Sequence, residues 1–92
     1  MSDLEGFREE IDLIDKKITN LFEERMNIVL KIAQYKKENN ISVLHSSREE
    51  EVISKAVSNL KNKDYETELT TLLNCIMDIS KNIQNKKVTN NN

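Results

Sequence analysis

Apolar residues follow a heptad pattern over the first third of the chain. From Leu4 they recur at alternating steps of three and four residues, which places them on one face of an α-helix. With Leu4 at position a, Arg25 is the single charged residue in this stripe. The other a and d positions hold Phe7, Ile11, Ile14, Ile18, Leu21, Ile28, Ile32 and Tyr35.

The stripe predicts one long helix that begins at Ser2 or Asp3 and ends near Glu38. Ser2 is spaced as a capping box with the glutamate three residues on, and Asn39-Asn40 supplies a stop. About 35 residues form a rod of roughly 50 Å, because each residue rises ~1.5 Å. The rest of a 92-residue chain cannot cover such a rod, so the pattern favours a partner chain.

Two shorter helices are predicted after the long one. Ser46-Ser47 opens the second with overlapping Ser-x-x-Glu capping boxes, and its apolar face runs from Val52 to Leu60. Asp64 is the predicted N-cap of the third, whose apolar positions run from Leu69 to Ile83.

Composition supports an all-α fold of three helices, since the chain has no Pro, one Gly and 33% charged residues. We expect one domain over residues 1–85 and a polar, disordered tail over 86–92. The net charge of -2 gives no general reason to expect nucleic acid or a membrane surface as partner. No leader or bilayer-spanning stretch is evident, which predicts a cytoplasmic protein. The single Cys75 lies in an apolar run and is expected to be buried.

Three cations of the first helix suggest a site shared between two chains. Arg25 in the apolar stripe must be paired or must bind something; the alternative is a register-setting ion pair with a nearby Glu. Lys36 lies three turns further on the same face, where it could equally be a solvated charge. Arg8 lies 17 residues and about 25 Å before Arg25, too far to share a small ligand within one chain. If two copies of the helix pack antiparallel, Arg8 of one lies between Arg25 and Lys36 of the other; alternatively, Arg8 pairs with Asp12.

Polar residues on the other two helices complete the candidate set. Arg48 in the first turn of helix two opposes the helix dipole, a cost that a bound carboxylate would offset. Glu49 could be a mere cap partner of Ser46. Ser80 and Gln84 are stacked at i,i+4 on helix three, where a Gln is usually exposed but can present an amide to a pocket. The chain shows no metal-ligand spacing, phosphate loop or nucleophile set, so no cofactor is expected.

Four segments resemble the all-α chorismate mutases, from Leu4 to about Gln84. They are L-E-G-F-R-E-E-I-D-L-I-D, L-F-E-E-R-M-N-I-V-L-K-I-A-Q-Y-K, S-S-R-E-E-E-V-I and I-M-D-I-S-K-N-I-Q. The resemblance implies an intertwined antiparallel homodimer that rearranges chorismate to prephenate in phenylalanine and tyrosine biosynthesis. It implies a site made of Arg25, Lys36, Arg48, Glu49, Ser80 and Gln84, with Arg8 from the partner.

The resemblance also implies roles for these residues. Arg8 and Arg25 would bind carboxylates, while Lys36 and Gln84 would donate to the ether oxygen as its bond breaks. Arg48 would orient the substrate carboxylates and balance their charge, and Glu49 would accept a hydrogen bond from the substrate hydroxyl.

One position departs from the family pattern, because His45 stands where Asp is common. His45 either hydrogen-bonds the substrate hydroxyl or only ends the connector between helices one and two. If it titrates near the site, activity would depend on pH near neutrality.

Two other functions remain open from the sequence. One is an isochorismate pyruvate lyase on the same fold. The other is a non-catalytic helical dimerisation module in which Arg25 only sets the register.

Overall fold

The computed structural model describes residues 2–90, with side chains described for residues 2–87. Within this range the chain forms three α-helices and one short 3-10 turn, without a strand. The α-helices are α1 (Asp3–Glu38), α2 (Ser46–Asn59) and α3 (Glu66–Asn90), and the 3-10 turn spans Lys63–Tyr65. The predicted all-α architecture with a long N-terminal helix is confirmed.

The ends of α1 follow the sequence signals closely. The Ser2 hydroxyl accepts a hydrogen bond of 3.2 Å from the backbone N–H of Glu5 and so caps the first turn. At the other end, Asn40 adopts a φ of 54°, the left-handed conformation that Asn tolerates better than most residues. The predicted helix bounds are therefore confirmed.

The starts of α2 and α3 differ from prediction. The N-cap residue of α2 is His45, whose side chain makes no capping hydrogen bond. Because the helix already includes Ser46, the predicted Ser-x-x-Glu capping boxes do not form. Asp64 is not a cap either, because the side chain of Asn62 accepts from the Asp64 N–H and starts the 3-10 turn. The α3 helix continues through residues 86–90, where a disordered tail was predicted, and residues 91 and 92 lie outside the described residues.

The described core is small and lies on one half of α1. Its buried apolar side chains are Met26, Val29 and Ala33 on α1 and Met77 on α3, which packs along α1. These α1 positions adjoin the heptad stripe but do not belong to it. The stripe itself is exposed, as in Phe7 at 61% and Ile18 at 56%. Cys75 is also exposed, so the prediction of a buried thiol is wrong for this chain.

The N-terminal half of α1 projects beyond the other helices. Every residue from 3 to 24 except Gly6 is exposed. The chain measures 56 × 27 × 15 Å, and its radius of gyration of 16.7 Å exceeds the ~12 Å of a globular chain of this length. A continuous exposed apolar face of this kind marks an interaction surface. No helix in the described part of the chain is long and apolar enough to cross a bilayer.

Candidate active site

A cavity of about 490 Å³ lies between the C-terminal half of α1, the α1–α2 connector, the start of α2 and the end of α3. Its apolar wall is formed by Ile28, Val29, Ile32, Val43, Val52 and Met77. Its polar wall contains seven of the eight site residues predicted from the sequence. These are Arg25, Lys36, His45, Arg48, Glu49, Ser80 and Gln84.

The eighth predicted residue, Arg8, is not part of this cavity. It is exposed on the projecting half of α1, about 25 Å from Arg25 along the helix. Within one chain, therefore, the cavity lacks the additional cation that the sequence predicted for the site.

Arg25 is held by Ser80 across the α1–α3 interface. Its Nη1 donates a 2.8 Å hydrogen bond to Ser80 Oγ, and that hydroxyl donates in turn to the Ile76 carbonyl, also at 2.8 Å. Ser80 is buried, at 5% exposure. The guanidinium is thus positioned by a hydroxyl, in contrast to the alternative of an ion pair with Glu. Its remaining N–H donors are suited to an anion in the cavity.

Lys36 holds the connector in place at the other end of the cavity. Its Nζ donates a 3.0 Å hydrogen bond to the Val43 carbonyl, in a partly buried position. An ammonium group carries three donors, so this contact leaves Lys36 able to donate to a ligand as well.

Arg48 points along its own helix toward Glu51. The two side chains form an ion pair on the surface of α2, at 55% and 52% exposure. The hydrogen bond that Arg48 donates to Glu51, together with the nearby charge of Lys55, lowers the pKa of Glu51 below its usual 4.5. The unfavourable interaction of Arg48 with the helix dipole is therefore offset by Glu51.

Glu49 does not serve as a capping partner of Ser46. Its Oε2 lies 3.1 Å from Lys81 Nζ on α3, and Lys81 is also 3.4 Å from Asp78. The hydrogen bond that Lys81 donates to Glu49 is the main cause that raises the pKa of Lys81 above 10.5. Lys81 lines the cavity and was missed in the sequence. The i, i+3, i+4, i+7 spacing of Met77, Ser80, Lys81 and Gln84 on one helix face could have identified it.

Gln84 is buried, at 7% exposure, and the alternative of an exposed side chain is wrong. Its Oε1 has no hydrogen-bond partner among the described residues. A buried, unsatisfied carbonyl oxygen costs about 1–3 kcal/mol. In a cavity wall such an atom can accept a hydrogen bond from water, from a ligand or from a neighbouring chain.

The charges on the cavity wall favour an anion. Arg25, Lys36, Arg48 and Lys81 outnumber the single carboxylate of Glu49. In the described part of the chain, no group of His, Cys, Asp and Glu side chains is arranged to hold a metal ion. The fold and the cavity thus define an all-helical protein with a small cationic pocket, in which stabilisation of charge is the chemistry that the side chains offer.

Comparison with known proteins places this chain in a family. The family model for chorismate mutase type II matches residues 7–85, so the chain belongs to the chorismate mutase type II family. It is similar to a bifunctional chorismate mutase/prephenate dehydratase of Buchnera aphidicola subsp. Acyrthosiphon pisum (strain APS), with 41% identity over 81 residues. It is also similar to a protein of the same description from Buchnera aphidicola subsp. Schizaphis graminum (strain Sg), with 34% identity over 96 residues.

These alignments cover most of this chain but little of the relatives. They include 87% and 99% of the chain, yet only 21% and 25% of the respective relatives. The chain therefore spans between a fifth and a quarter of their length. No solved structure is significantly similar to it.

Proposed function

We propose that this protein is a chorismate mutase that rearranges chorismate to prephenate in phenylalanine and tyrosine biosynthesis. The observation that carries the proposal is the cavity of a type II family member that is lined by Arg25, Lys36, Arg48, Glu49 and Gln84. This rearrangement is a unimolecular pericyclic reaction, so it needs neither a nucleophile nor a cofactor. It needs a site that holds a dianion in a reactive shape and stabilises the charge that develops.

Arg25 binds one substrate carboxylate in this proposal. Because Ser80 already fixes the guanidinium, its free donors can form a two-pronged hydrogen bond without further ordering. The partner subunit's Arg8 binds a carboxylate as well, and Arg48 contributes to the same charge after it turns away from Glu51. Together these contacts favour the compact diaxial conformer in which the reacting carbons approach each other.

Lys36 and Gln84 stabilise the transition state. Negative charge grows on the ether oxygen as its C–O bond breaks, so donors there act more strongly in the transition state than in the ground state. Rotation of the Gln84 amide by half a turn exchanges Oε1 and Nε2, which lets its NH2 group face the ether oxygen. Glu49 accepts a hydrogen bond from the substrate hydroxyl, and His45 lies at the same end of the cavity.

The active form is an intertwined antiparallel homodimer. Support comes from the projecting half of α1, whose apolar stripe is exposed from Leu4 at 54% to Leu21 at 63%. Antiparallel packing of two such helices buries both stripes and brings each Arg8 level with the other chain's cavity. A cavity that lacks Arg8 within its own chain is explained by this arrangement.

Chorismate turnover tests the activity directly. The purified protein, without metal or cofactor, should consume chorismate, seen as loss of its absorbance, and form prephenate. Arg25→Ala should lower this turnover by a factor of at least a hundred, since a charged hydrogen bond to the reacting anion is lost. Release of pyruvate from isochorismate, without chorismate turnover, would establish the related lyase instead. A folded helical dimer with neither activity would favour a non-catalytic dimerisation module.

Complementation tests the shared site. Arg8→Ala and Arg25→Ala chains should each be inactive alone, but a mixed dimer contains one site with both arginines intact. Random mixing makes half of the dimers mixed, with one good site of two, so about a quarter of wild-type activity should return. No recovery after verified exchange of subunits would refute the contribution of Arg8 across the interface.

A further inference from the structure

Lys81 is a charged residue of the cavity wall to which the proposed function gives no role. It lies on the α3 face that also carries Ser80 and Gln84, directly opposite the first turn of α2. Its Nζ lies 3.1 Å from Glu49 Oε2, and the side chains of both residues are only about 30% exposed, at 30% and 29%.

This ion pair differs from the others in the described part of the chain. Arg48–Glu51, Lys55–Glu51 and Lys81–Asp78 each join residues of one helix, and each has at least one side chain that is more than half exposed. Lys81–Glu49 instead connects two helices and lies at the cavity. Partly buried pairs are screened less by water and salt than exposed ones, so its geometry is better defined.

The pair also decides which charges remain available to a ligand. Glu49 is a carboxylate in a cavity with Arg25, Lys36 and Arg48, and pairing with any of them would neutralise a cation needed for anion binding. Lys81 provides the counterion instead. Because Lys81 engages Oε2, the second oxygen of Glu49 can accept a hydrogen bond from a ligand.

We propose that Lys81 is a positioning residue, which orients Glu49 toward the substrate hydroxyl and keeps that carboxylate from pairing with Arg25 or Lys36. The inference rests on the proposed function, since it assigns Lys81 a part in the same site. Lys81 acts through Glu49 and does not itself contact the substrate.

A double-mutant cycle tests this role. Lys81→Met removes the charge while keeping the length of the side chain, and should lower kcat/KM about five- to tenfold, the usual worth of a partly screened charged hydrogen bond. In a Glu49→Gln background the same substitution should change kcat/KM less than twofold, because its only route to the substrate is gone. Lys81→Arg should recover most of the loss. Lys61→Met, at an exposed lysine outside the cavity, is the matched control and should leave kcat/KM unchanged.

A second readout follows the pair without reference to catalysis. NMR titration of the lysine side chains should show the pKa of Lys81 falling toward 10.5 in Glu49→Gln, since Glu49 is the main cause of its rise. An unchanged pKa would mean that the two side chains do not interact in solution, and would overturn the inference.

The kinetic results distinguish failure of this inference from failure of the proposed function. Absence of chorismate turnover in the wild-type protein would refute the function and with it the role of Lys81 in that reaction. Wild-type turnover with equal losses from Lys81→Met in both backgrounds would mean direct contact with substrate. Wild-type turnover with no loss at all would mean that Lys81 is dispensable. Either of the last two results would overturn the inference and leave the proposed function intact.

Discussion

Gln84 should limit stability and support activity at the same time. Its side chain is 7% exposed and its Oε1 has no hydrogen-bond partner among the described residues, and a buried carbonyl oxygen left without a partner costs about 1–3 kcal/mol. Gln84→Met replaces the amide with an apolar side chain of similar length that adapts to irregular gaps. We expect the free energy of unfolding to rise by about 1 kcal/mol, equivalent to an increase in Tm of roughly 4–8 °C for a domain of this size.

The same substitution should damage catalysis. Loss of one donor to the developing oxyanion typically lowers kcat by about 100- to 1,000-fold. Urea unfolding followed by circular dichroism measures the first effect and chorismate consumption the second, both at one fixed protein concentration because subunit association contributes to stability.

An exposed neighbour on α3 provides the control for Gln84. Asn82→Met should change the free energy of unfolding by less than about 0.5 kcal/mol and leave kcat unchanged. A Gln84→Met protein that is less stable than wild type would show that the amide is satisfied in solution. Unchanged kcat would show that it does not act on the reacting bond. Either result would refute the reasoning.

Two further perturbations address other parts of the molecule. Glu51→Gln releases Arg48 toward the cavity and should lower KM for the dianionic substrate about two- to fivefold at low salt. Because the pKa of Glu51 is lowered, the ion pair in the wild-type protein stays intact at neutral pH. The difference in KM between wild type and Glu51→Gln should therefore disappear only as the pH falls through that pKa, below 4.5. Ile18→Glu, which places a charge in the exposed stripe, should give a monomer in light scattering and abolish turnover.

Each of these has its own control and its own contrary result. Glu50→Gln, at the exposed position next to the Arg48 helix turn, should leave KM unchanged, and equal effects from both substitutions would indicate a general charge effect. Lys16→Glu lies opposite the apolar stripe, so a monomer from this variant too would argue against the stripe as the interface.

The sequence predicts α1 well because its signals are local. Heptad spacing, the Ser2 cap and the Asn39-Asn40 stop all act within a few residues, and each is found at the predicted place. Lys36 and Arg25 share a cavity for the same reason, since helical periodicity alone fixes their relative direction.

What the sequence does not predict depends on contacts between distant segments. The apolar stripe is obvious, yet α3 packs on the adjoining positions Met26, Val29 and Ala33, a choice that periodicity cannot make. The sequence suggests the nearby Ser46 as a partner of Glu49, and only the tertiary arrangement reveals its pairing with Lys81.

The hydrogen bond between Arg25 and Ser80 has a consequence for the entropy of binding. An arginine side chain loses about 1.5–2 kcal/mol of rotamer freedom when it is fixed in one conformation. In this chain that loss occurs as α1 and α3 pack, because Arg25 Nη1 donates a 2.8 Å hydrogen bond to the Ser80 hydroxyl. That hydroxyl is itself hydrogen-bonded to the Ile76 carbonyl. In the proposed site, a substrate carboxylate would therefore bind a guanidinium that is already fixed, and less of its interaction energy would be lost to ordering the protein.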